Sequence, residues 1–263
     1  MTGVVASGLS QFQRCRDQFA PALAPGSTVF CDFDGPIVDV SERYYSTYQL
    51  GLAEVQAIYQ AEGITLPIRV LSKVQFWQMK QDRVPDLEIA MRSGLQQAQI
   101  DLFLQRVSQI VNQPTLLHKD QLQLGVRWAL AMLHARGIRL VLVTLRCQTQ
   151  AIQILQNYGL THLFSAIWGT QDETAAYRNY ADEKTRLLVS ALESSQQERA
   201  ASELSRCAWM IGDTEADILA GQATGVSTIA LTCGIRSRTY LEKFTPTCIY
   251  SDLLSATRYL IGE

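Results

Sequence analysis

Val29-Phe30-Cys31-Asp32-Phe33-Asp34-Gly35-Pro36 closes a short apolar run with two aspartates set two apart and then a glycine. The β-branched and aromatic residues predict a strand over Thr28–Asp32. Such a strand would carry Asp32 to the carboxyl end of a sheet, where open α/β folds keep their ligand crevice. Gly35 lets the chain turn sharply and brings backbone N–H groups near an anion. Carboxylates so placed can hold a divalent cation and set one oxygen against phosphorus. The same pattern also occurs in calcium loops and ordinary turns, so the rest of the chain must distinguish the two.

Composition narrows the class. The 263 residues suffice for one large core or two smaller ones. A hydrophobic content of 47% fits a globular chain, and no stretch is long and apolar enough to span a membrane. The N-terminus lacks a basic-then-apolar secretory signature, although Met1 to Leu9 is mildly apolar, and a cytoplasmic location is expected. A net charge of -2 gives no electrostatic case for nucleic acid or an anionic membrane surface. Cysteines at 15, 31, 147, 207, 233 and 248 show no CxxC spacing. They read as small buried hydrophobes rather than as a zinc site or a disulfide framework.

Beyond the first strand the pattern is helical. Ser41 to Glu62 carries Tyr45, Tyr48, Leu52, Val55 and Ile58/Tyr59 at helical spacing, with Gly63 as a stop. A second helix opens at Ser72 with Gln75 at capping-box spacing, and Pro85-Asp86 open a third that stops at Gly94. Gln97 to Asn112 forms a fourth, closed by Pro114. No strand is expected within this stretch. From Gln121 helix and strand alternate: helix Leu122–Arg136, strand Arg139–Thr144, helix Thr149–Tyr158, strand Ala166–Trp168, helix Asp182–Ser194, strand Cys207–Ile211, helix Glu215–Thr224, strand Ser227–Leu231 and strand Thr247–Tyr250. Alternation predicts βαβ units, so the expected fold is α/β: a Rossmann-like parallel sheet with helices on both faces. The four helices form an insertion directly after the first strand. The expected division is a core of residues 1–38 and 118–263 and an inserted helical bundle of residues 39–117.

Three further groups fall at carboxyl ends of these strands or at helix starts. Leu140-Val141-Leu142-Val143-Thr144-Leu145-Arg146 delivers a hydroxyl and then a guanidinium, both able to meet phosphate oxygens; it also reads as a plain polar strand end. Lys184 opens a helix, a place where most lysines are solvated. In Trp209-Met210-Ile211-Gly212-Asp213-Thr214-Glu215-Ala216-Asp217, Asp213 closes a strand and Asp217 lies one turn into the next helix on the same face. Carboxylates also suit a helix start through its dipole, but Asp32 and Asp34 need a third oxygen donor.

The order Asp32-x-Asp34-Gly35, Thr144, Lys184, Gly212-Asp213-x-x-x-Asp217 resembles the haloacid dehalogenase superfamily (HAD-like hydrolases), within it the phosphatases with a helical cap. Gly221-Gln222-Ala223-Thr224-Gly225-Val226 and Thr232-Cys233-Gly234 are similar to its phosphoglycolate-phosphatase-like branch. The resemblance covers Val29 to Asp252 and leaves the first two dozen residues aside. It implies that Asp32 attacks phosphorus to give an aspartyl phosphate, and that Asp34 protonates the leaving group and then deprotonates water. It implies Mg2+ held by Asp32, the backbone carbonyl of Asp34 and Asp213. Gly35, Thr144, Leu145, Arg146 and Lys184 would line the phosphate and substrate site, with Thr144 and Lys184 on the phosphoryl oxygens and Asp217 behind the metal site or Lys184.

Leu145 stands where Asn is frequent in that family, and Arg146 could replace the missing contact. Pro36 stands where Thr or Val is common and fits a turn. The implied partner is a small phosphorylated metabolite, and nothing in the sequence decides between monomer and homodimer. Phosphotransfer to a second hydroxyl and a catalytically idle binding or regulatory role are the alternatives, the latter opposed by intact Asp32, Asp34, Lys184 and Asp213. Substrate choice would fall to the insertion, where Tyr44, Tyr45, Trp77, Lys80, Arg83 and Arg92 are candidates. For the aromatic three core packing is the expectation, and for the basic three solvated surface. His118, His134 and His162 sit outside every motif.

Overall fold

A computed structural model of the 263-residue chain describes residues 22–196 and 208–263. Cys15, Cys207 and the first 21 residues of the expected core segment lie outside the described residues.

Strands β1 (Thr28–Cys31), β4 (Arg139–Cys147), β5 (Ala166–Thr170), β6 (Ala208–Gly212), β7 (Ser227–Leu231) and β8 (Cys248–Tyr250) form one parallel sheet in the order β5-β4-β1-β6-β7-β8. Every residue of β1 and β6 is buried, as expected of strands covered on both faces. Side chains alternate between the faces. Val29, Cys31, Leu140, Leu142 and Ile211 join one apolar cluster with residues of α6 (Val126–Ala135), α7 (Gln148–Asn157) and α12 (Leu253–Ile261). Phe30, Val141, Val143 and Met210 face the other way, towards α9 (Ala181–Gln196) and α10 (Glu215–Thr224).

From β1 the order runs through β4 to β5 on one side and through β6 to β8 on the other. This reversal opens a crevice above the carboxyl ends of β1, β4 and β6. The short helices α8 (Ala175–Arg178) and α11 (Arg238–Glu242) belong to connections after β5 and β7.

Between β1 and β4 the chain forms a second, antiparallel pair, β2 (Val38–Asp39) with β3 (Gln121–Leu122). Five helices stand between these two strands: α1 (Ser41–Ala61), α2 (Lys73–Gln81), α3 (Asp86–Arg92), α4 (Ala98–Ile110) and α5 (Pro114–Leu117). The chain therefore leaves for the helical segment and returns from it side by side. Ser72 and Gln75 form the expected capping box on α2.

Several sequence expectations are corrected. The stretch 33–121 holds β2, where no strand was expected. The helix predicted from Leu122 begins at Val126, because Leu122 pairs with Val38 and Gly125 takes a left-handed φ of 79°. Pro114 opens a helical turn rather than only closing one, since proline suits a first helical position. Strand β4 runs on to Cys147 through a register shift that pairs Cys147 with Thr170. Helix α12 was missed, although Asp252 caps it and Leu253, Ala256, Leu260 and Ile261 bury one face.

Candidate active site

Asp32 follows β1 directly, and its amide donates to Ile211 O on β6. Its Oδ1 accepts from the Phe33 amide at 2.7 Å and lies 2.8 Å from Lys184 Nζ. Lys184 also reaches Asp217 Oδ1 at 2.8 Å, and its side chain is 1% exposed. The first turn of α9 aims Lys184 under the sheet end rather than into solvent, where it bridges two carboxylates.

Asp217 is held in turn, its Oδ2 accepting from the amide and the hydroxyl of Thr214. Asp32, Asp213 and Asp217 form a buried carboxylate cluster with oxygens within 4.8 Å of one another. Burial, joined by repulsion from Asp217, pushes Asp32 up to about 7 against the pull of Lys184. Burial and the charges of Asp32 and Asp217 push Asp213 well above the usual carboxylate range.

Asp213 accepts from the Ile235 amide at Oδ2, while its buried Oδ1 has no hydrogen-bond partner. An orphaned buried carboxylate oxygen beside a second carboxylate fits a hard dication with oxygen ligands. Two glycines make room for the Asp213 carboxylate. A Cβ on Gly35, whose φ is +91°, would lie 2.2 Å from Asp213 Cγ, and one on Gly234 would lie 1.9 Å from Asp213 Oδ2.

Asp34 is placed differently from Asp32. Its oxygens lie 2.7 Å from Arg146 Nε and 3.1 Å from Arg43 Nη2. Burial alone would raise this carboxyl, but the guanidiniums of Arg146 and Arg43 outweigh it and hold it below its ordinary value. Thr144 is buried, and its hydroxyl accepts from the Arg146 amide. The Arg146 fork, expected to meet phosphate oxygens, is largely taken by Asp34 and by Asp120, and of its nitrogens Nη1 alone lacks a partner.

These residues open on one cleft, lined among others by Asp32, Asp34, Thr144, Leu145, Arg146 and Asp213. Lys184 and Asp217 are not part of its wall and stand behind Asp32. The helical segment contributes Tyr44, Lys80, Arg83 and Asp86 to the opposite side.

Lys80 is a correction. It is 8% exposed rather than solvated, with its amine 2.7 Å from Asp86 Oδ1 and set between the rings of Tyr44 and Tyr177. Arg83 reaches Glu215 across the cleft at 3.1 Å, while Arg92 lies on the surface against Glu88. Tyr45 packs on Tyr48 and Phe76, and Trp77 meets Tyr44 edge-on, as core packing predicts. His118, His134 and His162 line no part of the cleft.

The sequence reading missed Arg43, Asp120, Tyr177, Asn179 and Arg236. Asp120 lies 77 residues from Arg43 and 26 from Arg146, and no spacing announces either contact.

The sequence profile of the haloacid dehalogenase-like hydrolases matches residues 29–231. A pyrophosphatase, PpaX, of Halalkalibacterium halodurans is 29% identical over 122 residues, which are 46% of this chain and 52% of that protein. The match thus spans about half the length of that relative. Among solved structures, a haloacid dehalogenase-like family hydrolase of Streptococcus pneumoniae superposes with a TM-score of 0.62 at 22% identity, covering 89% of this chain and 98% of its own. A predicted phosphoglycolate phosphatase of Haemophilus somnus gives 0.60 at 17% identity, with 89% and 97% covered.

Proposed function

The chain belongs to the haloacid dehalogenase-like hydrolase family, and from that premise we propose that it is a Mg2+-dependent phosphatase of a small phosphorylated metabolite, working through an aspartyl phosphate on Asp32. The observation that carries this reading is the Asp32–Lys184–Asp217 chain of 2.8 Å contacts beside the unpartnered oxygen of Asp213. It offers a nucleophile, a fixed cation and a ligand for a dication at one sheet end. The relative named as a pyrophosphatase and the structural neighbour named as a phosphoglycolate phosphatase favour phosphate chemistry.

In this reading Asp32, Asp213 and the Asp34 carbonyl hold Mg2+, which supplies charge neutralisation so that an anion can approach an anion. An Asp32 carboxylate oxygen attacks phosphorus, forming the aspartyl O–P bond as the bond from phosphorus to the leaving oxygen breaks and its electron pair goes to that oxygen. Thr144 donates to a phosphoryl oxygen. Lys184, ion-paired with Asp32 and Asp217 behind the cleft wall, holds the nucleophile in place and offsets its charge. Asp217 keeps the ammonium in place. Asp34 gives a proton to the leaving oxygen and takes one from the water that then hydrolyses the aspartyl phosphate. Since Arg43 and Arg146 favour the Asp34 carboxylate, its protonating half is the weaker one. Residues 39–117 serve as a cap that shields the cleft and selects substrate.

The test is hydrolysis of an aryl phosphate with Mg2+ by the native chain and by Asp32→Asn. Phosphate release by the native chain and its loss in the variant are expected; equal rates in the two remove Asp32 as nucleophile.

A further inference from the structure

Arg43 and Asp120, outside every sequence motif, complete a ring of charges beneath the cleft. Asp120 stands immediately before β3, and its side chain is 0% exposed. Its Oδ1 accepts from Arg43 Nε at 2.8 Å and its Oδ2 from Arg146 Nη2 at 2.5 Å. The oxygens of Asp34 close the circuit at 3.1 Å from Arg43 and 2.7 Å from Arg146. Two acids and two bases alternate, so the buried charge cancels.

The partners divide unequally between the arginines. The remaining nitrogen of Arg43 donates to Val111 O and Asn112 Oδ1, which occupies its whole fork. The remaining nitrogen of Arg146, Nη1, is buried and has no partner. Arg146 lines the cleft beside Thr144, so an anion there would supply the acceptor that the protein withholds. A guanidinium is planar: anchoring Nε and Nη2 fixes the direction of Nη1. Asp34 Oδ1 is ion-paired to Nε at 2.7 Å, and Asp120 accepts a hydrogen bond from Nη2. Asp120 does not line the cleft and cannot touch a substrate.

We infer that Asp120, itself fixed by Arg43, is a positioning residue that sets the guanidinium plane of Arg146 so that Nη1 meets an anionic oxygen of the substrate's phosphoryl group. The inference rests on the phosphate-binding reading of the cleft. It also ties the site to the helical segment. Arg43 lies in the first turn of α1 and Asp120 where the chain returns, so the segment's two connections are joined through the group they aim.

The experiment is calorimetric titration of inorganic phosphate, in the presence of Mg2+, into the native chain, Asp120→Asn, Arg146→Lys and the double variant. Phosphate should bind the native chain. Each single variant should lose about tenfold or more in affinity, and the double variant should bind no more weakly than Arg146→Lys alone, because both substitutions remove one contact.

Asp120→Asn leaves an unbalanced buried cation, so Arg43→Gln/Asp120→Asn, which keeps the charge even, serves as a second variant and should show the same loss. Native affinity in a folded Asp120 variant, additive losses in the double variant, or no phosphate binding by the native chain would overturn the inference. Failure of both Asp120 variants to fold would also overturn it, by making the ring a requirement of the fold alone. Aryl phosphate hydrolysis measured in parallel separates the two readings. Asp120-dependent binding without turnover refutes the hydrolase and leaves the positioning role; turnover with Asp120-independent binding does the reverse.

Discussion

Asp34 has both oxygens on guanidiniums, a setting that favours its ionised form and bears on its proton-moving role. A leaving group that needs protonation should feel the loss of Asp34 more than one that does not. Asp34→Asn is therefore expected to cost an alkyl phosphate at least about tenfold more in kcat/KM than an aryl phosphate; equal losses on the two substrates would remove the acid role. Lys184 gives a second expectation. It is a buried ammonium between two buried carboxylates. Lys184→Met leaves those charges facing each other and should cost about 3–5 kcal/mol, read from the urea midpoint. A midpoint within experimental scatter of the native one would mean that the bridge contributes little. These positions also show how legible single residues were. The places of Asp32, Thr144, Asp213 and Lys184 were readable because each closes a predicted strand or opens a predicted helix, and that of Asp34 through its spacing of two from Asp32. The burial of Lys184 and Lys80 was not, because lysines at such positions point to solvent unless something distant covers them.

Among elements, α2 has the clearest local cause and the most consequential end. Ser72 and Gln75 satisfy its first turn reciprocally. Its far end is fastened to the core: Ser237 N donates to Gln81 O at 2.8 Å, Gln81 Nε2 donates to Gly234 O, and Arg83 just beyond reaches Glu215. Ser72→Ala should cost about 1 kcal/mol in the denaturation midpoint and leave kcat unchanged, since the cap lies away from the cleft. A change in kcat at unchanged stability would contradict this. The start of α2 was legible because a capping box is a local pattern. Its anchorage was not, because Gln81 and Gly234 are 153 residues apart and no periodicity links them.

For the molecule as a whole, the acidic cluster couples stability to pH and to metal. Asp32, raised to about 7, and Asp213, raised well above the usual range, hold protons in the folded state that the unfolded chain releases near about 3.9. From there up to about pH 7 the folded state binds more protons than the unfolded one, so the metal-free fold loses stability as pH rises through that window. A dication that binds the ionised carboxylates of the folded state offsets the loss. Mg2+ should then raise Tm more at about pH 8 than at about pH 5. Equal shifts at the two pH values, followed by differential scanning calorimetry, would argue against a metal bound through Asp32 and Asp213. By itself the sequence determined the alternating order, the parallel sheet and the strand ends that bear the aspartates, because hydrophobic period and turn residues act over a few neighbours. Only the tertiary structure decided that Arg43, Asp120 and Arg146 close a ring on Asp34 and that Lys80 is buried facing the cleft. These are contacts between segments brought together by packing, and the stability of a buried charge depends on partners that no local pattern names.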